Sequence, residues 1–378
     1  MKLFYSCNEL GLGHVNRTIM LGKRLEDRGH DVFFFSGGLA HKLLQTEFNN
    51  VYPCTPIKWY ENIHGLFVSA SVMNIPFPLP IFDYEHKKMR LKRSSSEETI
   101  RRYYDLRKYV MKIKPDKIIS DGDLLALRLA KRWKIESIYI TNVVRPSYRF
   151  PIFLIPGQRF TERYIKTCKK VIIPDVPKYT ICEYNLGSLD KIGIQDKVEF
   201  VGSFFDMDYE RRFKKTNGVV FAPVSGPLGT RVKIIKEIMR VLPSLSCKTI
   251  VSLGEPRSRL KRFVGNCEIY GWLSKSLRQE YMEKADVVIS TGSHGTCFEI
   301  LKYEKPSVCM PTQPEQMGNA KKLNDLKCSI YAENGSQLLK ALHKIRENKE
   351  FYEKKASILA HYCRRFNGLD SAIKIVES

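Results

Sequence analysis

The feature that most constrains this chain is an alternation that runs its length and restarts once. Short apolar runs rich in β-branched and aromatic residues alternate with longer stretches whose apolar residues recur at helical spacing. Lys2 to Cys7 and Asp31 to Ser36 read as strands around a helix from His14 to Arg28, with Ile19, Leu21 and Leu25 facing inward. Lys117 to Ser120 and Ser137 to Thr141 bracket a helix from Leu124 to Arg132, and Val171 to Pro174 and Val198 to Val201 end the first series. After a polar stretch, Asp206 to Asn217, Val219 to Ala222 opens a second series with a helix from Arg231 to Val241. Strands at Thr249 to Leu253, Glu268 to Tyr270, Val287 to Ser290 and Ser307 to Met310 follow. Strands separated by helices pair in parallel through crossover connections. Two such series predict an α/β protein of two doubly wound, Rossmann-like domains facing a cleft. The expected domains are 1–205 and 206–350, with a helix over 351–378 packing back on the first.

Composition narrows the setting. Ten cysteines are scattered singly from Cys7 to Cys363, with neither a CxxC pair nor a Cys/His cluster at zinc spacing. Together with the lack of a recognisable signal peptide, this predicts reduced thiols and a cytoplasmic protein. The longest apolar stretch, Ile63 to Phe82, contains Pro76, Pro78 and Pro80, which argues against a membrane-spanning helix. Net charge is +23, with +12 in residues 1–200 and +11 in the rest, so it is not one basic tail. Such a surface favours anionic partners: phosphates, acidic lipids or nucleic acid.

In open α/β sheets, ligands sit beyond the carboxyl ends of strands, where helix N-termini present free amides. Three loops fit. Gly11-Leu12-Gly13-His14 follows the first strand, and there His14 either serves as a general base or caps the helix. Ser225 to Arg231 holds the same position in the second domain, with Gly226 in a tight turn and Arg231 able to meet a phosphate. Ser290-Thr291-Gly292-Ser293-His294-Gly295-Thr296 precedes a helix that carries Glu299, a combination suited to an anion and a ribose diol.

These loops, taken in order with Pro311 to Ala320, resemble the GT-B glycosyltransferases over nearly the whole chain. The likeness is to the peptidoglycan lipid-intermediate N-acetylglucosaminyltransferases and to the UDP-glycosyltransferases. It implies that His14, beside Gly11 and Gly13, deprotonates an acceptor hydroxyl, and that Asp121 orients it, with Asp123 an alternative. It further implies that Trp272 and Leu273 hold the nucleotide base, although Trp272 also suits a core position. Thr296 would lie near the diphosphate, Glu299 at the ribose, and Glu315 and Gln316 at the transferred sugar. Which of residues 291–295 touch phosphate stays open, because Thr291 rather than His294 falls in the register of a phosphate-binding histidine.

The resemblance thus implies an inverting hexosyltransferase using a nucleotide-sugar, UDP first, with neither cofactor nor metal. Helix amides and Arg231 would carry the leaving-group charge. Asp121-Gly122-Asp123 has metal-binding spacing but lies in the wrong domain for a diphosphate. Residues 57–110 should hold acceptor specificity. There Ile75 to Phe82 adjoins the basic run His86 to Arg93, which suits an anionic membrane surface and a lipid-linked or phosphate-bearing acceptor; a solvated helix face is the alternative. A sugar-nucleotide 2-epimerase of the same fold and a basic nucleic-acid-binding protein are the competing functions, the latter without a binding motif.

Overall fold

A computed structural model describes residues 1–9, 12–61, 67–69, 76, 79–83, 88–92, 94–209, 218–224, 226, 228–255 and 258–378. Gly11, His86 and Arg93 lie outside the described residues. Strand β1 (Lys2–Cys7) leads into α1 (Leu12–Asp27), β2 (Asp31–Ser36), α2 (Gly38–Gln45) and β3 (Val51–Pro53). Two antiparallel hairpins follow, β4 (Trp59–Glu61) with β5 (Phe67–Ser69) and β6 (Leu79–Asp83) with β7 (Lys88–Lys92). Residues 88–92 are therefore a strand and not a helix face, as the two-residue period of Lys88-Met89-Arg90-Leu91-Lys92 allows. Then come α3 (Ser95–Ile113), β8 (Lys117–Asp121), α4 (Leu124–Trp133), β9 (Glu136–Ile140), α5 (Ile155–Ile165), β10 (Lys170–Ile173), α6 (Glu183–Leu186), α7 (Leu189–Ile192) and β11 (Val198–Phe200). The sheet order is β11-β10-β9-β8-β1-β2-β3, parallel throughout.

The second domain contains β12 (Val219–Pro223), α8 (Leu228–Met239), β13 (Lys248–Ser252), β14 (Lys261–Val264), β15 (Cys267–Tyr270), α9 (Lys275–Lys284), β16 (Val287–Ser290), α10 (His294–Lys302), β17 (Ser307–Cys309), α11 (Pro314–Asp325), β18 (Ser329–Tyr331), α12 (Gly335–Glu347) and α13 (Lys349–Cys363). Its sheet runs β14-β15-β13-β12-β16-β17-β18, with only the edge strand β14 antiparallel. The central strands β8 and β12 are buried along their whole length, as parallel strands covered by helices on both faces must be.

The chain ends on two helices rather than one. Helix α13 packs into the second domain through Leu359 and Cys363. The chain then breaks at residues 364–367, and α14 (Gly368–Glu377) joins the first domain's core, where Ala372, Ile373 and Val376 cluster with Leu3, Leu21 and Leu25. Asn367 caps the restart, its side chain accepting from the Asp370 amide at 3.2 Å. Here the returning chain lies against the outgoing one. A side chain on Gly368 would collide with the Ser203 carbonyl, and one on Gly202 with Phe366. The domains also share an apolar seam, in which Val176 and Ile181 of the first meet Cys297, Phe298 and Leu301 of the second.

One buried ion network anchors the first domain's helix layer. Arg102 of α3 is 1% exposed, and its Nε and Nη2 donate to Asp123 Oδ2 at 3.1 and 2.9 Å. Its Nη1 donates to the Thr55 carbonyl at 2.7 Å and lies 3.4 Å from Glu9. Asp123 in turn caps α4 through the Leu125 amide. Removing one partner of a buried pair strands the other charge. Arg102→Ala should therefore lower unfolding stability by about 3–5 kcal/mol, measured by chemical denaturation.

Candidate active site

Three strands of the first domain end side by side, because β8 lies between β1 and β9. Cys7 pairs with Asp121, and Asp121 with Ile140. Asp121 thus closes the central strand, fully buried, directly beneath the start of α1. His14 lies in the first turn of that helix, and its Nδ1 is 2.6 Å from Asp121 Oδ1. With the carboxylate accepting at Nδ1, the ring proton sits there and Nε2 keeps a lone pair for another proton. Of the two candidate carboxylates, Asp121 partners His14, while Asp123 belongs to Arg102 and the α4 cap.

Arg17, one turn beyond His14 on the same helical face, completes the arrangement. It is 6% exposed, and it grips Asp121 with both Nη2 (2.7 Å) and Nε (3.1 Å). Burial alone would push the Asp121 carboxyl up; the Arg17 guanidinium and the His14 imidazole outweigh it and hold it below its ordinary value. The sequence reading did not single out Arg17, although the i, i+3 spacing from His14 was a visible signal. Nor did it find Asn142, just past β9, which accepts from Arg17 Nη1 at 3.3 Å. Asn142 also donates across the cleft to Glu315 Oε1 at 2.7 Å, so the expected base and the expected sugar-binding acid share one hydrogen-bond path. Glu9, just before the glycine loop, is a further buried acid, its carboxyl pushed up by burial to about 7.

In the second domain the loops expected to hold a donor cluster at the carboxyl ends of β12, β13, β15 and β16. Gly226 is exposed, between the undescribed residues 225 and 227. Arg231 donates to the Leu253 carbonyl at 3.0 Å and to that of Gly254, so it braces the neighbouring loop. Trp272 is 41% exposed just past β15, while Leu273 is buried beneath it. That exposure sets the indole outside the core, available as a wall for a planar ring.

After β16, Thr291 is buried, and its hydroxyl has no hydrogen-bond partner among the described residues. Gly292 adopts φ +76°, and Ser293 stands at the N-cap of α10 with its hydroxyl donating to Thr296 at 2.9 Å. Gly295 packs on the Phe205 ring. Glu299 holds a two-point pair with Arg278 of α9, at 2.7 and 2.6 Å. At the start of α11, Gln316 accepts from the Thr312 amide and hydroxyl at 3.1 and 3.2 Å. Asn319, fully buried, ties that turn to Gly292, donating to its carbonyl at 3.0 Å.

His294 stands apart from the rest of its loop. It is buried, and its Nε2 lies 3.0 Å from Asp175 of the first domain. Asp175, Cys182 and His294 are the grouping whose ligand atoms come within 4.8 Å of one another among the described residues. Asp175 already accepts from the Val176 and Cys182 amides at 2.7 and 2.9 Å, so an ion could enter only by displacing hydrogen bonds.

Two Rossmann-like domains whose ligand loops face each other across a cleft make up the GT-B fold. Residues 266–365 match the glycosyltransferase family 28 C-terminal domain, and the chain is a glycosyltransferase. An uncharacterized glycosyltransferase of Methanosarcina mazei is 24% identical over 373 residues, covering 93% of this chain and 91% of its own. The UDP-N-acetylglucosamine–N-acetylmuramyl-(pentapeptide) pyrophosphoryl-undecaprenol N-acetylglucosamine transferase of Clostridium tetani is 23% identical, over 97% of this chain and 94% of its own. Among solved structures, the spinosyn rhamnosyltransferase SpnG complexed with thymidine diphosphate superposes with a TM-score of 0.69 over the whole of both chains, at 11% identity.

Gly122 leaves room for the His14 ring from below. It sits at φ +72°, where a side chain is strained, and a Cβ there would come 2.7 Å from His14 Cε1. Gly122→Ala should displace the imidazole and lower turnover by about 10²-fold, with thermal stability as the check that the fold survives.

Proposed function

We propose that this chain transfers a hexosyl group from a nucleoside diphosphate sugar to an acceptor hydroxyl, inverting the anomeric carbon and using no metal. The observation that carries the reading is the buried Arg17–Asp121–His14 chain at the mouth of the first sheet. In this mechanism His14 Nε2 takes the acceptor proton while the acceptor oxygen bonds to the anomeric carbon. The bond from that carbon to the diphosphate breaks, and the nucleoside diphosphate leaves with the electron pair. Asp121 stabilises the imidazolium that forms, and Arg17 keeps Asp121 ionised. The amides at the start of α10 face the growing charge on the leaving group, which supports metal independence. Both carboxylates of Asp121-Gly122-Asp123 are already neutralised by side-chain cations.

Uridine is the proposed base, Trp272 its wall, and Glu299 the ribose ligand in exchange with Arg278. Glu315 and Gln316 take the transferred sugar. The acceptor is a lipid-linked or phosphate-bearing hydroxyl, met at the cytoplasmic face of a membrane. The net charge of +23 supports an anionic setting, and no helix among the described residues is long and apolar enough to cross a bilayer. Nucleic acid is not the proposed partner.

The test combines thermal shift with nucleotide release for a panel of UDP- and dTDP-sugars. A bound donor raises the melting temperature in proportion to ln(1 + [L]/Kd). His14→Ala should keep that shift and lose about 10²–10⁴-fold in turnover; Glu299→Ala should lose the shift. If no nucleotide stabilises the protein, the transferase reading of the cleft fails.

Arg17→Met gives a pH signature. The lowered Asp121 value means that its contribution is present above the ordinary carboxylate range and is lost as pH falls through the folded value. Without Arg17, burial dominates and Asp121 takes up its proton at higher pH. The acid limb of the rate profile should therefore move upward, and an unmoved limb would exclude this role.

A further inference from the structure

Helix α5 is built inside out. The residues it turns inward are mostly polar: Gln158, Thr161 and Glu162 are buried together with Ile165. They are satisfied there, Gln158 donating to the Val144 carbonyl and Glu162 holding Arg145 at 2.6 and 2.5 Å. Of the apolar side chains of the same segment, Leu154 and Ile165 turn inward, while Ile152, Phe153, Ile155 and Phe160 face outward. Ile152 is 81% exposed, Phe153 66% and Phe160 52%. A soluble helix shows the reverse pattern, because burying its apolar face is what holds it to the fold. This one is held by those polar contacts together with Leu154 and Ile165, which leaves the outward apolar residues for something else.

The charge beside that face says what. Between residues 143 and 174 the sequence has seven basic side chains and one acidic, and the acid is the buried Glu162. Arg159, Arg163 and Lys166 form no ion pair among the described residues, and Arg159 and Arg163 join Ile155, Pro156 and Phe160 around an open pocket of about 320 Å³. Exposed aromatic and aliphatic tips ringed by unpaired arginines match the headgroup boundary of an anionic bilayer, which takes apolar tips below and cations at the phosphates. We infer that the outward face of residues 152–163 docks this enzyme on an anionic lipid bilayer.

The placement serves the site. Val144, which anchors Gln158, lies two residues from Asn142, whose side chain bridges Arg17 and Glu315. The Val144 and Arg145 amides are further fixed to the Asn185 carbonyl at 2.8 and 2.9 Å. A bilayer on this face would therefore be held in fixed relation to the rim of the cleft. In its purpose the inference rests on the lipid-linked acceptor proposed above; in its geometry it stands alone.

The experiment is co-sedimentation of the full chain with vesicles of phosphatidylcholine, with and without phosphatidylglycerol. The wild type should partition onto phosphatidylglycerol vesicles, and less so as salt rises. Arg159→Ala and Arg163→Ala should each weaken that partitioning about fivefold. Phe153→Ser with Phe160→Ser should abolish it while leaving the UDP-induced thermal shift intact. Loss of that shift in the wild type would count against the donor reading and not against docking. Indifference to phosphatidylglycerol, or double variants that bind like wild type, would overturn the inference. So would a vesicle-free dimer by sedimentation velocity that Phe153→Ser dissolves, since a second copy would then cover the face.

Discussion

A carboxylate with no exposed surface, at the end of the central strand of a parallel sheet, has to be compensated where it stands. Asp121 is that group, and much of the first domain's cleft is arranged around its charge. Arg17 neutralises it and His14 hydrogen-bonds to it, so α1 must begin where both side chains reach one point. The same arginine holds Asn142, and Asn142 holds Glu315 of the other domain. The state of one buried charge is thereby linked, through the side chains of Arg17, Asn142 and Glu315, to the turn that starts α11. The group proposed to take a proton and the group proposed to hold the sugar are thereby positioned by a common set of hydrogen bonds.

The two cleft walls differ in how firmly they are set. On the first domain's wall His14, Arg17, Asp121 and Asn142 are paired with one another. On the second, Trp272 stands in the open and Glu299 is held by Arg278. An exposed indole is unfavourable in water and gains from a ligand that offers a ring face. His294 contributes elsewhere, pairing with Asp175 across the seam between the domains.

The alternation of strand and helix was legible because its periods are local, and the ordered loops then placed His14 and Asp121 on one sheet edge. Arg17 was equally local, three residues from His14, but its role appears only once Asp121 is known to lie beneath it. Asn142 and Arg102 were out of reach of local pattern. Their partners lie in other elements, Glu315 173 residues from Asn142, and only strand order brings them together. The break between α13 and α14 did carry a signal, since Asn367-Gly368 is a strong turn pair inside an otherwise continuous helical pattern. Helix α5 shows the limit of periodicity: the apolar spacing marks a helix but does not say which face is turned inward.

The return of the chain to the first domain has a mechanical consequence. The polypeptide crosses between domains twice, near residues 203 and 366, and the small residues Gly202 and Gly368 let the two crossings lie against each other. Two straps fastened side by side leave one easy rotation, about the line they share, and stiffen torsion and sliding. A rotation that opened the cleft would thereby be confined to a single arc. Along that arc Glu315 would return to the same place over Asn142, so the path of the backbone sets the register between the walls before the side chains meet.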